Sequence, residues 1–217
     1  MAHSAVLFDL DGTLADTAPD LGYALNRQRI ARGMPELPIE AVRAHASSGA
    51  RGLLKAGFNL GPEDPGYEAM REEFLDIYAQ NLARESDLFP GMASLLGRIE
   101  AMGLRWGIVT NKAERFTLPL LRLMGLFDRA AVVVCGDTTP HAKPHPAPLL
   151  AAMEKLALPA AGCLYVGDDE RDVRAGQAAG MPVIVARYGY LGSGTPPEAW
   201  GADGFIDSPM ELLAHLR

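Results

Sequence analysis

Apolar residues recur at helical spacing over one long stretch in the first half of the chain. From Tyr67 onwards they fall on one side of a helix, at Met70, Phe74, Ile77, Tyr78 and Leu82, which indicates that this face is buried. Shorter helical segments precede it, separated by turns that contain proline and glycine. The pattern predicts an all-helical unit over residues 16–88.

The pattern changes at Phe89, where short apolar runs begin to alternate with helical segments that end at glycine. This alternation is typical of a parallel sheet whose strands are connected by helices. The strands predicted here are residues 104–109, 131–134, 163–166, 183–185 and, at an edge, 205–206, and a last helix is predicted from Met210.

A further apolar run, Val6 to Phe8, predicts a buried strand near the start of the chain. The prediction is therefore an α/β fold with a Rossmann-like parallel-sheet core over residues 1–15 and 89–217. An all-helical cap, residues 16–88, is inserted after the first strand. Such an insertion leaves the sheet at the edge where its strands end, and so it is placed to cover that edge.

Polar side chains follow the predicted strands at equivalent positions. Asp9 follows the first strand, Thr110 and Asn111 the second, Lys143 lies in the loop after the third, and Asp168 follows the fourth. Open parallel sheets bind ligands at the carboxyl ends of their strands. We therefore expect these five residues to meet in one crevice.

Composition limits the classes of function. The chain has 217 residues, of which 48% are hydrophobic, and a net charge of −7. This charge, without a basic block, gives no support for binding nucleic acid or an anionic membrane. Cys135 and Cys163 each lie beside an apolar run, as buried thiols do, and neither a secretion signal nor a membrane-spanning run is present. A cytoplasmic location is the expectation.

The acidic residues suit phosphoryl transfer. An ionised aspartate can attack phosphorus and form an aspartyl phosphate, and Asp9 is the predicted nucleophile. A divalent metal reduces the repulsion between this anion and a phosphate, and Mg²⁺ prefers oxygen ligands. We assign Mg²⁺ to Asp9, the backbone carbonyl of Asp11, and Asp168, with Asp172 holding a metal-bound water.

The remaining polar residues complete the predicted site. Lys143 supplies a fixed positive charge, while the Thr110 hydroxyl and the Asn111 backbone N–H bind phosphoryl oxygens. Asp11 is the expected general acid for the leaving group and then the base that activates water. In the cap, Arg51 is a candidate to bind a polar group of the substrate.

Each of these residues also has a purely structural explanation. The acidic run from Asp168 to Asp172 is typical of helix N-termini, where carboxylates cap the helix. Lys143 can be a solvated loop lysine, Thr110-Asn111 a capping turn, and Arg51 a solvated arginine. The joint placement of the core residues at four strand ends favours the functional interpretation of the set.

With these residues assigned, the chain resembles the haloacid dehalogenase (HAD) superfamily over essentially its full length. The matching motifs are Asp9-Leu10-Asp11-Gly12-Thr13-Leu14, Thr110-Asn111, Lys143-Pro144 and Gly167-Asp168-Asp169-x-x-Asp172. The resemblance implies a Rossmann-like core, Mg²⁺, an aspartyl-phosphate intermediate and a mobile helical cap. The implied activity is hydrolysis of a phosphate monoester on a small metabolite.

Two narrower resemblances suggest different substrates. Gly49-Ala50-Arg51, with the core motifs, is similar to the phosphoglycolate phosphatase group. Longer stretches resemble N-acetylmuramic acid 6-phosphate phosphatases of cell-wall recycling, namely 109–116, 166–172, 187–190 and 200–203. Asp169 stands where many phosphoglycolate enzymes carry Ser. The first group is our main interpretation and the second is the alternative.

Other classes of function rank lower. A sugar phosphomutase shares the core and differs in the cap and in the lifetime of its phosphoenzyme. A receiver domain, which accepts a phosphoryl group without being an enzyme, carries its acceptor on a later strand and has no cap. An inactive binding module is disfavoured because every motif is present. The sequence does not indicate the oligomeric state.

Overall fold

The computed structural model describes residues 3–192 and 194–216. Its centre is a six-stranded parallel sheet in the order β5-β4-β1-β6-β7-β8. These strands are β1 (Ala5–Phe8), β4 (Arg105–Val109), β5 (Val133–Val134), β6 (Cys163–Gly167), β7 (Val183–Ala186) and β8 (Gly204–Ile206). Helices α5 (Met92–Ala101), α6 (Glu114–Leu123), α7 (Ala147–Leu156) and α8 (Glu170–Ala179) connect them. The predicted α/β fold is confirmed.

The sheet is buried on both faces, which explains why its strands read as continuous apolar runs. Side chains alternate along a strand, and in β1 Val6 and Phe8 pack into one core whereas Ala5 and Leu7 pack into the other. All four are completely buried. The crevice at the carboxyl ends of the strands therefore stands on a rigid base.

Four helices lie in the chain between β1 and β4. They are α1 (Ala18–Ala31), α2 (Ile39–Ala46), α3 (Gly49–Phe58) and α4 (Tyr67–Ala79). Helix α1 packs against each of the other three, and Leu25, Leu53 and Phe74 are buried among them. The predicted helical segments are confirmed, although the division of the chain into two domains at residues 16 and 88 stays a prediction.

The prediction that residues 16–88 are all helical is wrong at both ends. There the chain forms an antiparallel pair of two-residue strands, β2 (Ala15–Asp16) and β3 (Asp87–Leu88). Pairing satisfies the backbone groups of both segments where they pass each other. Strands this short have no side-chain period that a sequence pattern can reveal.

One helix also differs from the prediction. The segment predicted as a final helix from Met210 is a 3₁₀ helix over Pro209–His215. Helix α8 begins at Glu170, where Asp169 caps it. Within the described residues, no helix is long and apolar enough to cross a membrane.

Candidate active site

The strand ends bring the predicted residues together. Asp9 directly follows β1, and its backbone N–H donates to Val166 of β6 at 2.9 Å. Thr110 follows β4, and its N–H donates to Val134 of β5 at 3.0 Å. These bonds extend the sheet by one residue beyond each strand. The two side chains therefore start from a fixed backbone.

Lys143 is the buried centre of the site. Its ammonium donates to Asp172 Oδ1 at 2.7 Å, to the Tyr165 hydroxyl at 2.8 Å and to the Val109 carbonyl at 3.0 Å. An ammonium has three protons, so these acceptors use all of them. Asp9 Oδ1 lies 2.9 Å from the same nitrogen and forms an ion pair with it. The solvated-loop explanation of Lys143 is wrong, since only 4% of the residue is exposed.

Three carboxylates crowd around this one ammonium. Asp9, Asp168 and Asp172 each place an oxygen so that the three atoms lie within 4.8 Å of one another. Burial, together with the neighbouring Asp172, raises the pKa of Asp9 to about 6 despite the opposing effect of Lys143. Burial also raises the pKa of Asp168, and Asp9 and Asp172 add to this. The cluster carries more negative charge than Lys143 can balance.

A divalent cation fits this excess of negative charge. The donors are carboxylate oxygens, which suit Mg²⁺. Asp9 Oδ1 has no partner besides the Lys143 ammonium among residues 3–192 and 194–216, so a lone pair on it remains available to a ligand. Whether Asp172 acts on such an ion through water, as the sequence predicts, stays a prediction.

Asp168 is held from two sides. The Thr13 hydroxyl donates to its Oδ1 at 2.7 Å, and the Tyr190 backbone N–H donates to its Oδ2 at 2.8 Å. Gly12 and Gly189 allow this close packing, because a Cβ at either position would collide with the Asp168 side chain. The orientation of this carboxylate is therefore fixed in advance of any ligand.

The capping explanation of the acidic run is correct for two of its members. Asp169 accepts from the Arg171 backbone N–H at 2.9 Å, and Asp172 accepts from the Asp169 N–H at 3.1 Å, which together form a capping box on α8. Asp172 thus caps the helix with one oxygen and pairs with Lys143 through the other. Asp168 takes no part in the cap.

Asp11 is bound by a residue that received no role from the sequence. Lys112 Nζ lies 2.8 Å from Asp11 Oδ1 and 3.1 Å from Oδ2, and the Thr17 hydroxyl donates to Oδ1 at 2.5 Å. Burial opposes the charge of Lys112, but the Asp11 carboxylate more than offsets this and raises the pKa of Lys112. The predicted general acid is therefore positioned by a permanent cation.

Asn111 performs a task besides the one predicted for it. Its side-chain amide donates to the Lys143 carbonyl and accepts from the Lys143 N–H, both at 2.9 Å. This pair of bonds anchors the loop that carries Lys143. The proposed contact between the Asn111 backbone N–H and phosphate stays a prediction, as does that of Thr110, whose hydroxyl accepts from the Lys112 N–H at 3.1 Å.

The cap and the core together line a cavity of about 360 Å³ above these residues, and this cavity is partly open to solvent. Its floor includes Asp9, Asp11, Thr110, Asn111, Lys112 and Lys143. The cap contributes Arg51 of α3, whose contact with a substrate stays a prediction, together with Ser47 and the aromatic residues Tyr67, Phe74 and Tyr78. Arg171 of the core donates to the Ser47 carbonyl of the cap at 2.7 Å, so the two halves are in direct contact at the cavity.

Lys112 and Tyr190 are the residues whose importance the sequence did not reveal. Lys112 follows Thr110 and Asn111 at a strand end, and the rule that selected those two residues would have selected it as well. The Tyr190 hydroxyl accepts from the backbone N–H groups of Thr17 and Ala18, both at 2.8 Å, and donates to Asp16. No local pattern signals bonds between residues so far apart in the chain.

Comparison with known proteins agrees with this geometry. Residues 6–186 match the family profile of haloacid dehalogenase-like hydrolases. The chain is 44% identical to an N-acetylmuramic acid 6-phosphate phosphatase of Pseudomonas putida, over 98% of this chain and 95% of that protein. It is 42% identical to a phosphoglycolate phosphatase of Xanthomonas campestris pv. campestris, over 96% and 94% of the two chains.

A solved structure extends the comparison to the fold. A crystal structure described as a predicted phosphoglycolate phosphatase from Haemophilus somnus superposes with a TM-score of 0.87 at 26% identity, and covers 99% of this chain and 98% of that one. The resemblance inferred from the motifs is therefore confirmed. The chain belongs to the haloacid dehalogenase-like hydrolase family and has the fold and the close relatives of its phosphatases.

Proposed function

We propose that the protein is a Mg²⁺-dependent phosphomonoesterase that acts on a small phosphorylated metabolite through an aspartyl phosphate. The observation that carries the proposal is the state of Asp9. Its carboxylate lies on the floor of a cavity, and among the described residues its Oδ1 contacts the buried Lys143 ammonium at 2.9 Å and no other polar partner. Such an oxygen is available to attack.

The proposed reaction has two chemical steps. An oxygen of Asp9 forms a bond to phosphorus while the bond from phosphorus to the leaving oxygen breaks, and Asp11 gives its proton to that oxygen. Water then attacks the same phosphorus, Asp11 accepts a proton from the water, and the bond to Asp9 breaks. Inorganic phosphate leaves and both aspartates return to their starting states.

The surrounding residues stabilise the charge that moves in these steps. Asp9, the Asp11 carbonyl and Asp168 would hold Mg²⁺, which would supply electrostatic stabilisation of the phosphoryl oxygens. Lys143 provides a second positive charge, and the Thr110 hydroxyl and the Asn111 N–H donate to the phosphoryl group. Lys112 and Thr17 orient Asp11 toward the leaving oxygen and the attacking water.

Two substrate classes are consistent with the site. The main candidate is phosphoglycolate, the substrate named for the relative from Xanthomonas campestris. The second is N-acetylmuramic acid 6-phosphate, named for the relative from Pseudomonas putida. Mutase and phosphoacceptor roles rank below both. A cytoplasmic location stays a prediction.

Phosphate release from a panel of substrates tests the proposal. The panel contains 2-phosphoglycolate, N-acetylmuramic acid 6-phosphate, hexose phosphates and p-nitrophenyl phosphate, each with Mg²⁺ and with a chelator. We expect turnover that needs Mg²⁺ and that Asp9→Asn abolishes, while the matched surface variant Asp128→Asn retains it. Turnover that survives both the chelator and Asp9→Asn contradicts the proposal.

A further inference from the structure

The hydroxyl of Tyr190 binds the start of helix α1 from outside that helix. It accepts hydrogen bonds from the backbone N–H groups of Thr17 and Ala18, both at 2.8 Å, and it donates to Asp16 at 2.8 Å. A hydroxyl has one proton and two acceptor sites, so these three bonds use its full capacity. Only 6% of the residue is exposed. The bonds are therefore largely shielded from competition by water.

Thr17 occupies the N-cap position of α1 but does not cap the helix with its side chain. A threonine at this position usually accepts a hydrogen bond from an N–H group of the first turn. Within the described part of the chain the Thr17 side chain makes no such bond. Its hydroxyl donates instead to Asp11 Oδ1 at 2.5 Å. The start of α1 is thus anchored by Tyr190, and the Thr17 hydroxyl serves the predicted general acid.

Tyr190 fixes the direction in which the Thr17 side chain points. The two N–H groups that it binds belong to the peptide units on either side of the Thr17 Cα atom, and each peptide unit is planar. Because one hydroxyl holds both units, the backbone angles of Thr17 and the direction of its Cα–Cβ bond are fixed. Threonine is branched at Cβ, which restricts rotation of its hydroxyl. The donor to Asp11 is therefore held in place by Tyr190.

The bond from Thr17 selects the oxygen of Asp11 that carries a proton. Oδ1 accepts from Thr17 at 2.5 Å and from Lys112 at 2.8 Å. Among the described residues Oδ2 has only the longer contact with Lys112, at 3.1 Å. A carboxylate oxygen has about two lone-pair sites, so the two donors occupy those of Oδ1. Oδ2 is then the oxygen from which Asp11 gives its proton to the leaving group.

The backbone of Tyr190 has a separate task in the site. Its N–H donates to Asp168 Oδ2 at 2.8 Å, and its ring lies 6.3 Å from the Phe89 ring. A phenylalanine at position 190 retains the backbone N–H and the ring and loses only the hydroxyl. The hydroxyl can therefore be tested without removing the bond to the predicted Mg²⁺ ligand.

We propose that the Tyr190 hydroxyl positions Asp11, through Thr17, to protonate the leaving oxygen. Tyr190 is then a positioning residue that does not touch the substrate. This inference rests on the proposed phosphatase function and adds a residue to its acid step. In a purely structural role the hydroxyl would only anchor α1. The two roles differ in which substrates a variant affects.

The test compares Tyr190→Phe with wild type on p-nitrophenyl phosphate and on an alkyl phosphate, with Mg²⁺ present. The alkyl phosphate is 2-phosphoglycolate or N-acetylmuramic acid 6-phosphate, whichever wild type hydrolyses faster. Only the alkyl substrate has a leaving oxygen that needs a proton. The value of kcat/KM depends on the steps up to release of the alcohol, so it excludes the later step in which Asp11 activates water.

We expect Tyr190→Phe to lower kcat/KM about tenfold more for the alkyl phosphate than for p-nitrophenyl phosphate, as loss of one orienting hydrogen bond predicts. Equal losses on the two substrates, or no loss on the alkyl phosphate, show that the hydroxyl is only structural and overturn the inference. If wild type releases phosphate from none of the three compounds, the proposed function itself has failed and the inference fails with it.

A second variant tests the connection through Thr17. Thr17→Val removes the hydroxyl that binds Asp11 but keeps the shape of the side chain, so it should show the same substrate-dependent loss. Combined with Tyr190→Phe it should lose little more than the larger single loss, whereas multiplied losses show independent action and overturn the inference. The matched control, Tyr188→Phe, removes a hydroxyl that donates to the Thr13 carbonyl at 3.0 Å, and it should change both substrates by the same factor.

Discussion

Replacing Lys143 with methionine removes the cation from the most charged part of the interior. Lys143 pairs with Asp172 at 2.7 Å, where the side chains are only 2% and 1% exposed, and with Asp9 at 2.9 Å. Burial alone would lower the pKa of Lys143, but these two carboxylates raise it, so it is charged at neutral pH. Methionine preserves most of the volume and leaves Asp172 buried without its ion-pair partner.

The size of the effect follows from the burial of the pair. Breaking a buried ion pair by removing one partner costs ~3–5 kcal/mol. For a chain of this length each kcal/mol lowers the unfolding temperature by ~2–4 °C, so Lys143→Met should unfold ~6–20 °C below wild type. The exposed Lys155 of α7 provides the matched control, and Lys155→Met should change stability by no more than ~0.5 kcal/mol.

A double variant shows whether the unpaired carboxylate is the cause. If it is, Lys143→Met combined with Asp172→Asn should be more stable than the sum of the single effects predicts, by ~1 kcal/mol or more. Thermal unfolding of the wild type, the two single variants and the double variant, all without metal, completes this double-mutant cycle. A loss below ~2 °C in Lys143→Met, or strict additivity in the double variant, would refute the reasoning.

Three further predictions concern Asp11, its partner and a surface ion pair. Asp11→Asn should lose less activity on p-nitrophenyl phosphate, whose leaving group needs no proton, than on an alkyl phosphate; equal losses contradict the acid role. Lys112→Met should lower the free energy of unfolding by ~1–3 kcal/mol in a urea titration, since it removes a charged hydrogen bond to Asp11; no change would contradict this. Hydrogen bonds from Arg32 lower the pKa of Glu73. The stabilisation that this pair gives the folded state is therefore complete at a pH above the ordinary Glu pKa of 4.5, and it is lost as the pH falls through the lowered pKa. Because both side chains are over one third exposed, Glu73→Gln should cost only ~0.2–1 kcal/mol at pH 7, and a difference that persists at low pH contradicts the assignment.

Much of the fold could be predicted because its strands and helices carry strong periodic signals. Strand β1 is apolar at every position, since the sheet is covered on both faces, and α4 repeats its buried residues at helical spacing. The pair β2–β3 could not be predicted in this way. It is held by backbone pairing between residues far apart in the chain, and backbone groups are the same in every sequence.

The residues of the site were predictable for the same reason or missed for the same reason. Asp9, Thr110 and Asp168 were found because each directly follows a strand, and parallel strands end at one edge. Two contacts connect the core to the cap. Tyr190 bonds to Asp16 at the start of the cap, and Arg171 bonds to Ser47 within it. Those contacts depend on how the two parts pack, which no local spacing encodes.

Trapping the phosphoenzyme shows whether Asp9 is the nucleophile. The protein is mixed with Mg²⁺ and substrate, quenched rapidly in acid and digested, and the peptide that contains Asp9 is analysed by mass spectrometry. We expect a phosphoryl group on this peptide, located at Asp9 and missing from Asp9→Asn. Steady turnover without a phosphoryl group on that peptide, combined with retained activity in Asp9→Asn, would contradict the assignment of Asp9 as the nucleophile.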